Sequence, residues 1–168
     1  KQYLASETEN IDEMNKLIEW LPNNIPNDDE TSIVHGDYRL DNMIYSNFDV
    51  VGVLDWELST LGHPIADFCY HCLTWRTLPN FHDQKKLRDL GIPNEMEYRE
   101  MYSEHTGKDL SKDWEFYMVY SLFKVAAICQ GILGRVRDGT AASKHAEERG
   151  MNVFPLSKGA WSIVESNF

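Results

Sequence analysis

The residues best suited to chemistry lie in one short stretch of the sequence, residues 32–57. Polar side chains alternate there with short apolar runs, and the runs Met43–Asn47 and Val50–Leu54 predict a β-hairpin with a tight turn between them. An unbroken register places Asn42 opposite Asp55 at the open end of this hairpin. Directly opposed residues have Cα atoms ~4.5–5.5 Å apart, so an amide oxygen and a carboxylate converge there. Such oxygen ligands suit a hard cation such as Mg²⁺.

The same stretch carries the spacing of a protein-kinase catalytic loop. His35, Asp37 and Asn42 stand in the order H-x-D-x-x-x-x-N. In that arrangement Asp37 accepts or orients a hydroxyl proton for attack on a γ-phosphoryl group, and Arg39 offers positive charge to the transferring phosphate. Asp55 opens the sequence D-W-E where a kinase has D-F-G, and is predicted to bind Mg²⁺ that bridges the nucleotide phosphates. The pattern therefore predicts ATP and Mg²⁺ as cofactors.

The composition indicates one acidic domain. The chain has 168 residues, of which 42% are hydrophobic, and a net charge of −11. This charge opposes non-specific binding to nucleic acid or to an anionic membrane. The odd count of three cysteines argues against a disulfide framework and favours a reducing, intracellular compartment. No apolar run approaches the ~20 residues of a membrane span, so none is expected.

Helical periodicity dominates the rest of the chain and predicts an α+β, mainly helical fold around a small β-hairpin. A third strand is predicted at Ser32–Val34, and helices end or begin at Pro, Asn and Gly signals. The predicted helices cover residues 11–21, 65–78, 95–106, 112–139 and a final amphipathic segment from about residue 154.

Two motifs carry a resemblance to a known family. The segment "VHGDYRLDNMIY" followed by "GVLDWELSTLGHPIADFCY" resembles the C-terminal lobe of the aminoglycoside phosphotransferase/choline kinase-like family, which has a protein-kinase-like two-lobed fold. It is most similar to the phosphotransferase-like domain fused to acyl-CoA dehydrogenases of the family member 10 and 11 type. The resemblance implies that Asp37 is the catalytic base, that Asn42 and Asp55 bind magnesium, and that His35 supports the loop. It also implies that Asp67 anchors this loop from the following helix.

The resemblance further implies what lies outside the chain. The start "KQYLASETEN" and the lack of a phosphate-covering glycine loop lead us to expect that residues 1–168 are the catalytic and substrate-binding lobe alone. The nucleotide-binding lobe is then absent, and this fragment alone inactive. The expected acceptor is the hydroxyl of a small molecule, either a hydroxyacyl-CoA in fatty-acid catabolism or a cation such as an aminoglycoside. A fused dehydrogenase domain is the implied partner, with a mitochondrial or peroxisomal location in a eukaryote and a cytoplasmic one otherwise.

Several alternatives stay open from the sequence. A non-catalytic kinase-like module that docks an acyl-CoA or a dehydrogenase domain would keep the same fold. A metal-dependent hydrolase would use the same carboxylates but would not explain their spacing, and a zinc site would need helical histidine spacing that is missing. Arg39 is equally suited to an ion pair with Asp41 or Glu57. Cys69 and Cys72 are helical neighbours, which indicates core packing.

Overall fold

The computed structural model of the protein describes residues 2–28 and 30–168, which form two compact units. Unit 1 comprises Lys1–Pro26 and Met118–Phe168, and unit 2 comprises Asn27–Tyr117. Every residue of the predicted site belongs to unit 2. The chain is mainly helical with two small antiparallel sheets, which agrees with the fold class expected from the sequence.

The helices of the described residues are α1 (Gln2–Ser6), α2 (Asp12–Asn23), α3 (Pro64–Thr77), α4 (Gln84–Asp89), α5 (Glu95–Thr106), α6 (Trp114–Arg137), α7 (Ala146–Gly150) and α8 (Val153–Asn167). The strands are β1 (Ser32–Val34), β2 (Met43–Ser46), β3 (Asp49–Val53) and β4 (Thr60–Gly62). Short 3-10 turns precede β2, follow β3 and follow α3. The five predicted helices and the first three strands are confirmed to within a few residues, whereas β4 and the short helices α1, α4 and α7 lie outside these predicted elements.

Unit 1 is built on the apolar faces of its helices. Helix α2 buries Met14, Leu17 and Leu21, which recur at helical spacing and form one face toward α8. Helix α6 approaches its neighbours closely at Gly134, where an added Cβ would lie 3.0 Å from the Cβ of Ser6. The absence of a side chain at Gly134 therefore permits the close approach of Ser6.

Helix α6 qualifies as a candidate membrane span by its length and composition, contrary to the sequence expectation of no such span. However, 56% of its most apolar 18-residue window is buried inside the protein. Met118, Val119 and Ala126 on this helix have no exposed surface. Burial of this extent is typical of a helix in a protein core.

Unit 2 positions the predicted site between two strand pairs and α3. Strand β1 pairs with β4, and the chain then turns through His63, the N-cap of α3, whose Nδ1 accepts a hydrogen bond from the backbone N–H of Ile65. Helix α5 begins at a capping box formed by Asn94 and Glu97 and ends at Gly107 in a left-handed conformation. The helix boundaries read from Asn94 and Gly107 in the sequence are confirmed.

The register of the β2–β3 hairpin differs from the predicted one. The turn residues are Asn47 and Phe48, both with positive φ, so the turn lies one residue earlier than predicted. A bulge then places Val51 between paired residues, and Met43 pairs with Val53. The earlier turn and the bulge therefore move the partners of Ser46 and Tyr45 by two positions, and those of Ile44 and Met43 by one.

In the observed register the two predicted metal ligands, Asn42 and Asp55, are not directly opposite each other. The backbone N–H of Leu54 donates to the carbonyl of Asn42 at 2.8 Å, so Asn42 stands opposite Leu54. Asp55 lies one residue beyond this pair, in a left-handed conformation with φ 64° and ψ 52°. The prediction that Asn42 opposes Asp55 directly is wrong, although both residues stand at the open end of the hairpin.

Candidate active site

The loop that follows β1 is clamped by a carboxylate from helix α3. Asp67 accepts hydrogen bonds from the backbone N–H of His35 and of Gly36, each 2.8 Å long and each to a different carboxylate oxygen. Both acceptor oxygens of this side chain are therefore used on adjacent amides. The structural role that the sequence predicted for Asp67 matches this geometry.

The ring of His35 is buried and bonded at both nitrogens. Nε2 lies 2.7 Å from the carbonyl oxygen of Leu54, and Nδ1 accepts from the backbone N–H of Asp37 at 3.3 Å. A carbonyl can only accept, so Nε2 carries the ring proton and the imidazole is the neutral Nε2–H tautomer. This geometry suits loop support and leaves no nitrogen of His35 for a metal.

Glycine is required at position 36 for two separate reasons. Its φ of +83° is a left-handed conformation that side chains disfavour. In addition, a Cβ there would lie 2.6 Å from the carbonyl oxygen of Leu58. The loop can therefore approach the backbone after β3 only because Gly36 has no side chain.

The carboxylate of Asp37 has a hydrogen-bond donor at each oxygen. The amide nitrogen of Asn42 lies 3.1 Å from Oδ2 and 2.9 Å from the backbone oxygen of Asp37. The Tyr70 hydroxyl lies 3.3 Å from Oδ1. Asp37 and Asn42, five residues apart in sequence, are thus brought into direct contact.

The donor set at the hairpin end fits a hard cation. Because the Asn42 nitrogen is engaged by Asp37, the remaining polar atom of the Asn42 side chain is its carbonyl oxygen. Asp55 is exposed and stands at the end of the same hairpin. One amide oxygen and one carboxylate are ligands that Mg²⁺ accepts while it retains several waters.

Arg39 makes an ion pair within its own loop. Its guanidinium donates from Nε to Asp41 at 2.9 Å and from a second nitrogen to the same carboxylate. This hydrogen bond raises the pKa of Arg39, and the charge of Asp37 acts in the same direction. Of the alternatives left open by the sequence, the pair with Asp41 is the one formed, and Arg39 remains more than half exposed beside the Asp37 loop.

Sequence reasoning missed two residues of α3 that bond to the loop. Besides Tyr70, His71 lies 3.1 Å through Nδ1 from the carbonyl of Tyr38 and 3.2 Å through Nε2 from the Tyr98 hydroxyl. Burial lowers the pKa of His71, and burial raises that of Tyr98 to about 12. The available signal was their i, i+3 and i+4 spacing from Asp67, which places all three on one face of a helix.

Comparisons with known proteins identify the family of this chain. A model of the "Phosphotransferase enzyme family" matches residues 1–119. The chain belongs to this family. A crystal structure described as "a putative aminoglycoside phosphotransferase" from Ralstonia eutropha JMP134 superposes with a TM-score of 0.90 at 46% identity. That match covers 98% of this chain and 52% of the Ralstonia chain.

Curated relatives of this phosphotransferase-family chain are much longer proteins. Acyl-CoA dehydrogenase family member 10 from mouse is 44% identical over 171 residues, covering 98% of this chain and 16% of the mouse protein. Acyl-CoA dehydrogenase family member 11 from human is 35% identical, covering 100% of this chain and 22% of the human protein. The chain therefore spans about a fifth of the length of these relatives.

A second cluster of metal-compatible side chains is formed by residues outside the loop that carries Asp37 and Asn42. Asp28, Glu30 and His63 form this cluster, and its two carboxylates border a cavity of about 430 Å³. Glu30 is ion-paired with Lys108, and Nε2 of His63 faces Asp28 at 3.3 Å. Because Nδ1 of His63 accepts from the Ile65 amide, Nε2 of the neutral ring carries the proton and cannot ligate a metal. In this arrangement the cluster holds one ion pair, between Glu30 and Lys108, and a contact between His63 and Asp28.

The three cysteines lie within the described residues, are all buried, and form no disulfide with one another. Cys69 and Cys72 have no exposed surface and lie one helical turn apart on α3. Burial raises the pKa of the Cys72 thiol, which keeps it protonated and disfavours metal binding. The interpretation of this pair as core packing is confirmed.

Proposed function

We propose that this chain is the catalytic lobe of an ATP- and Mg²⁺-dependent phosphotransferase that phosphorylates the hydroxyl of a small molecule. The observation that carries the proposal is the Asp37 carboxylate, which is bonded to Asn42 and stands on a loop clamped by Asp67. Family membership supports phosphoryl transfer as the reaction class. A metal-dependent hydrolase would have no need for this contact between the two motif residues.

In this proposal Asp37 takes the proton of the acceptor hydroxyl. The hydroxyl oxygen forms its bond to the γ-phosphorus while the bond from that phosphorus to the departing ADP oxygen breaks. Arg39 stands two residues away on the same loop and contributes positive charge toward the transferring group. The clamp by Asp67 and the His35 ring keeps the loop from reorganising as charge moves.

Asn42 and Asp55 would hold the magnesium ion through their oxygens. When bound, Mg²⁺ supplies charge neutralisation for the nucleotide phosphates. The amide nitrogen of Asn42 meanwhile stays on Asp37, which orients the Asn42 oxygen. Asp55, in a left-handed conformation, follows Leu54, whose backbone N–H bonds to the carbonyl of Asn42.

We also propose that the nucleotide-binding lobe covers the strands of unit 2. Large apolar side chains on and around these strands are exposed, at 104% for Phe48 and 74% for Ile33. Apolar surface of this extent indicates a protein interface. The coverage of 52% of the Ralstonia chain supports further polypeptide in a complete member of this family.

The proposed acceptor is a hydroxylated acyl group, carried as a CoA thioester in fatty-acid catabolism. The names of the mouse and human relatives include acyl-CoA dehydrogenase, which favours such a substrate and a fused dehydrogenase as partner. Aromatic rings also extend from the loop, where Tyr38 is 5.5 Å from His71 and Trp75 is 5.1 Å from Tyr98 between ring centroids. Glu95 nearby is neutralised by Arg76, which disfavours a polycationic acceptor.

The test uses the full-length polypeptide that carries residues 1–168 together with the nucleotide-binding lobe. Phosphoryl transfer from γ-labelled ATP is measured with hydroxyacyl-CoA thioesters and, in parallel, with aminoglycosides. Replacement of the base by Asp37→Asn is expected to lower kcat by roughly 10²- to 10⁴-fold. Asp49→Asn, at the far end of the hairpin, is the matched control and keeps the wild-type rate.

Full transfer by the Asp37→Asn variant would refute the assignment of this residue as the base. Binding of acyl-CoA without any ATP-dependent transfer by the wild-type protein would instead favour the second candidate, a non-catalytic docking module. Transfer to aminoglycosides alone would keep the reaction and overturn the proposed acceptor.

A further inference from the structure

Helix α3 turns one face toward the loop of residues 35–38. Asp67, Tyr70 and His71 share that face, because residues three and four apart are neighbours on a helix surface. Each bonds to the loop: Asp67 to two backbone amides, Tyr70 to a carboxylate and His71 to a carbonyl. Whereas Asp67 and His71 hold the backbone, Tyr70 holds the side chain of Asp37.

We infer that Tyr70 is a positioning residue for phosphoryl transfer, whose hydroxyl fixes the plane of the Asp37 carboxylate. This inference rests on the function proposed above. The terminal torsion of an aspartate is broad, so a single donor leaves the carboxylate free to rotate. With Asn42 at Oδ2 and Tyr70 at Oδ1, both oxygens have a donor, and the remaining lone pairs keep a defined direction.

The hydroxyl of Tyr70, rather than its ring, is the element that acts on Asp37. Burial raises the pKa of Tyr70, and the neighbouring Asp37 charge raises it further. The phenol therefore stays protonated at neutral pH and donates to the carboxylate. A phenylalanine would fill nearly the same volume but would leave Oδ1 without this donor.

The expected effect is a loss in kcat with little change in affinity. In the full-length polypeptide, Tyr70→Phe is expected to lower kcat about 10-fold, the loss typical of one hydrogen bond to a charged group. The KM values for ATP and for the acceptor should stay within about twofold of the wild type, because Tyr70 acts through Asp37 and not on a substrate.

Tyr102→Phe is the matched control for loss of a tyrosine hydroxyl. Tyr102 lies on α5 in the same unit, where its ring stacks on Phe68 with centroids 3.8 Å apart. The same atom is removed from a half-buried tyrosine away from the Asp37 carboxylate. This variant is expected to keep the wild-type kcat, and thermal midpoints of both variants show whether either change perturbs folding.

A double-mutant cycle separates positioning from general structural support. If Tyr70 acts through Asp37, Tyr70→Phe changes the residual rate of the Asp37→Asn enzyme by less than about twofold. An equal loss of kcat in both backgrounds, or a wild-type kcat for Tyr70→Phe alone, would overturn the positioning role while Asp37→Asn still reports on the base. Wild-type transfer by Asp37→Asn would overturn both proposals.

Discussion

The buried ring of His35 donates from Nε2 to the carbonyl oxygen of Leu54 over 2.7 Å. This bond joins the loop that carries Asp37 to the last residue before Asp55. Two segments that are nineteen residues apart are thereby held in one arrangement. The bond forms with a neutral His35 ring and needs no charge. It therefore acts as structural support for the candidate active site.

Replacement of Gly36 by alanine should destabilise unit 2 strongly. A left-handed conformation costs an alanine roughly 1–2 kcal/mol. The overlap of its Cβ with the carbonyl of Leu58, at 2.6 Å, adds roughly 1–3 kcal/mol for the backbone shift that relieves it. We expect Gly36→Ala to lower the free energy of unfolding by the sum of both, measured by urea denaturation of the chain.

Gly107→Ala supplies the control for the conformational cost alone. Gly107 has a similar φ of +72°, but an added Cβ there meets no atom within 4 Å. Its replacement should cost only the roughly 1–2 kcal/mol of the left-handed conformation. Equal losses for the two variants would show that contact with Leu58 does not constrain the loop.

Removal of one acceptor from the α3 clamp should loosen the loop. Asp67→Asn replaces one carboxylate oxygen by an NH₂ group, which must then face a backbone N–H of His35 or Gly36. Leaving that buried donor without an acceptor costs roughly 1–3 kcal/mol. Urea denaturation measures the loss, and amide hydrogen exchange should speed up at residues 35 and 36.

Replacement of aspartate by asparagine should be neutral where only one carboxylate oxygen accepts a hydrogen bond. Asp83 is the N-cap of α4, where a single oxygen accepts from the backbone N–H of Lys86. Asparagine caps helices as well as aspartate, so Asp83→Asn should change stability by less than about 0.5 kcal/mol. A neutral Asp67→Asn variant would contradict the two-oxygen clamp.

The sequence predicts the parts of this fold that depend on local signals. Periodicity and capping locate α5, since the Asn94 and Gly107 signals act within a few residues of the helix ends. The hairpin register depends on two positions, a positive-φ turn at Phe48 and a bulge at Val51, which carry no such signal. A phenylalanine is unusual at positive φ, so an alternating pattern alone misplaces the turn.

In the candidate site, too, the sequence predicts what depends on local spacing and misses what depends on packing. The spacing of Asp37 and Asn42 places both residues in one loop, because only five positions separate them, but their direct contact was not predicted. The contact between Tyr70 and Asp37 spans 33 residues and depends on how α3 docks on the loop. The signal in the sequence was the position of Tyr70 three residues after Asp67, which places both side chains on one face of a helix.

Mild acid should destabilise unit 2 through His71. Burial lowers the pKa of this histidine in the folded protein, so the unfolded chain, with a pKa near 6.5, binds its proton first as pH falls. The stabilising contribution is complete above about pH 6.5 and is lost as pH falls toward the folded pKa. The midpoint of urea denaturation should therefore decrease between pH 7.5 and pH 5.

His71→Asn tests this origin of the pH dependence. Its amide can still donate to the carbonyl of Tyr38, but it does not titrate, so the variant should show a smaller pH dependence than the wild type. His82→Asn makes the same substitution at an exposed position and should retain the wild-type dependence. An unchanged slope in His71→Asn would assign the effect elsewhere.

Magnesium dependence should change when the carboxylate at the hairpin end is neutralised. Asp55 occupies a left-handed conformation with φ 64°, which asparagine tolerates as well as aspartate, so Asp55→Asn removes charge without disturbing the backbone. In the full-length polypeptide we expect the Mg²⁺ concentration for half-maximal transfer to rise by about 10-fold or more, because one anionic ligand is lost. Asp49→Asn, at the turn end of the hairpin, should leave this concentration unchanged, and equal Mg²⁺ requirements for both variants would remove Asp55 from the predicted metal ligands.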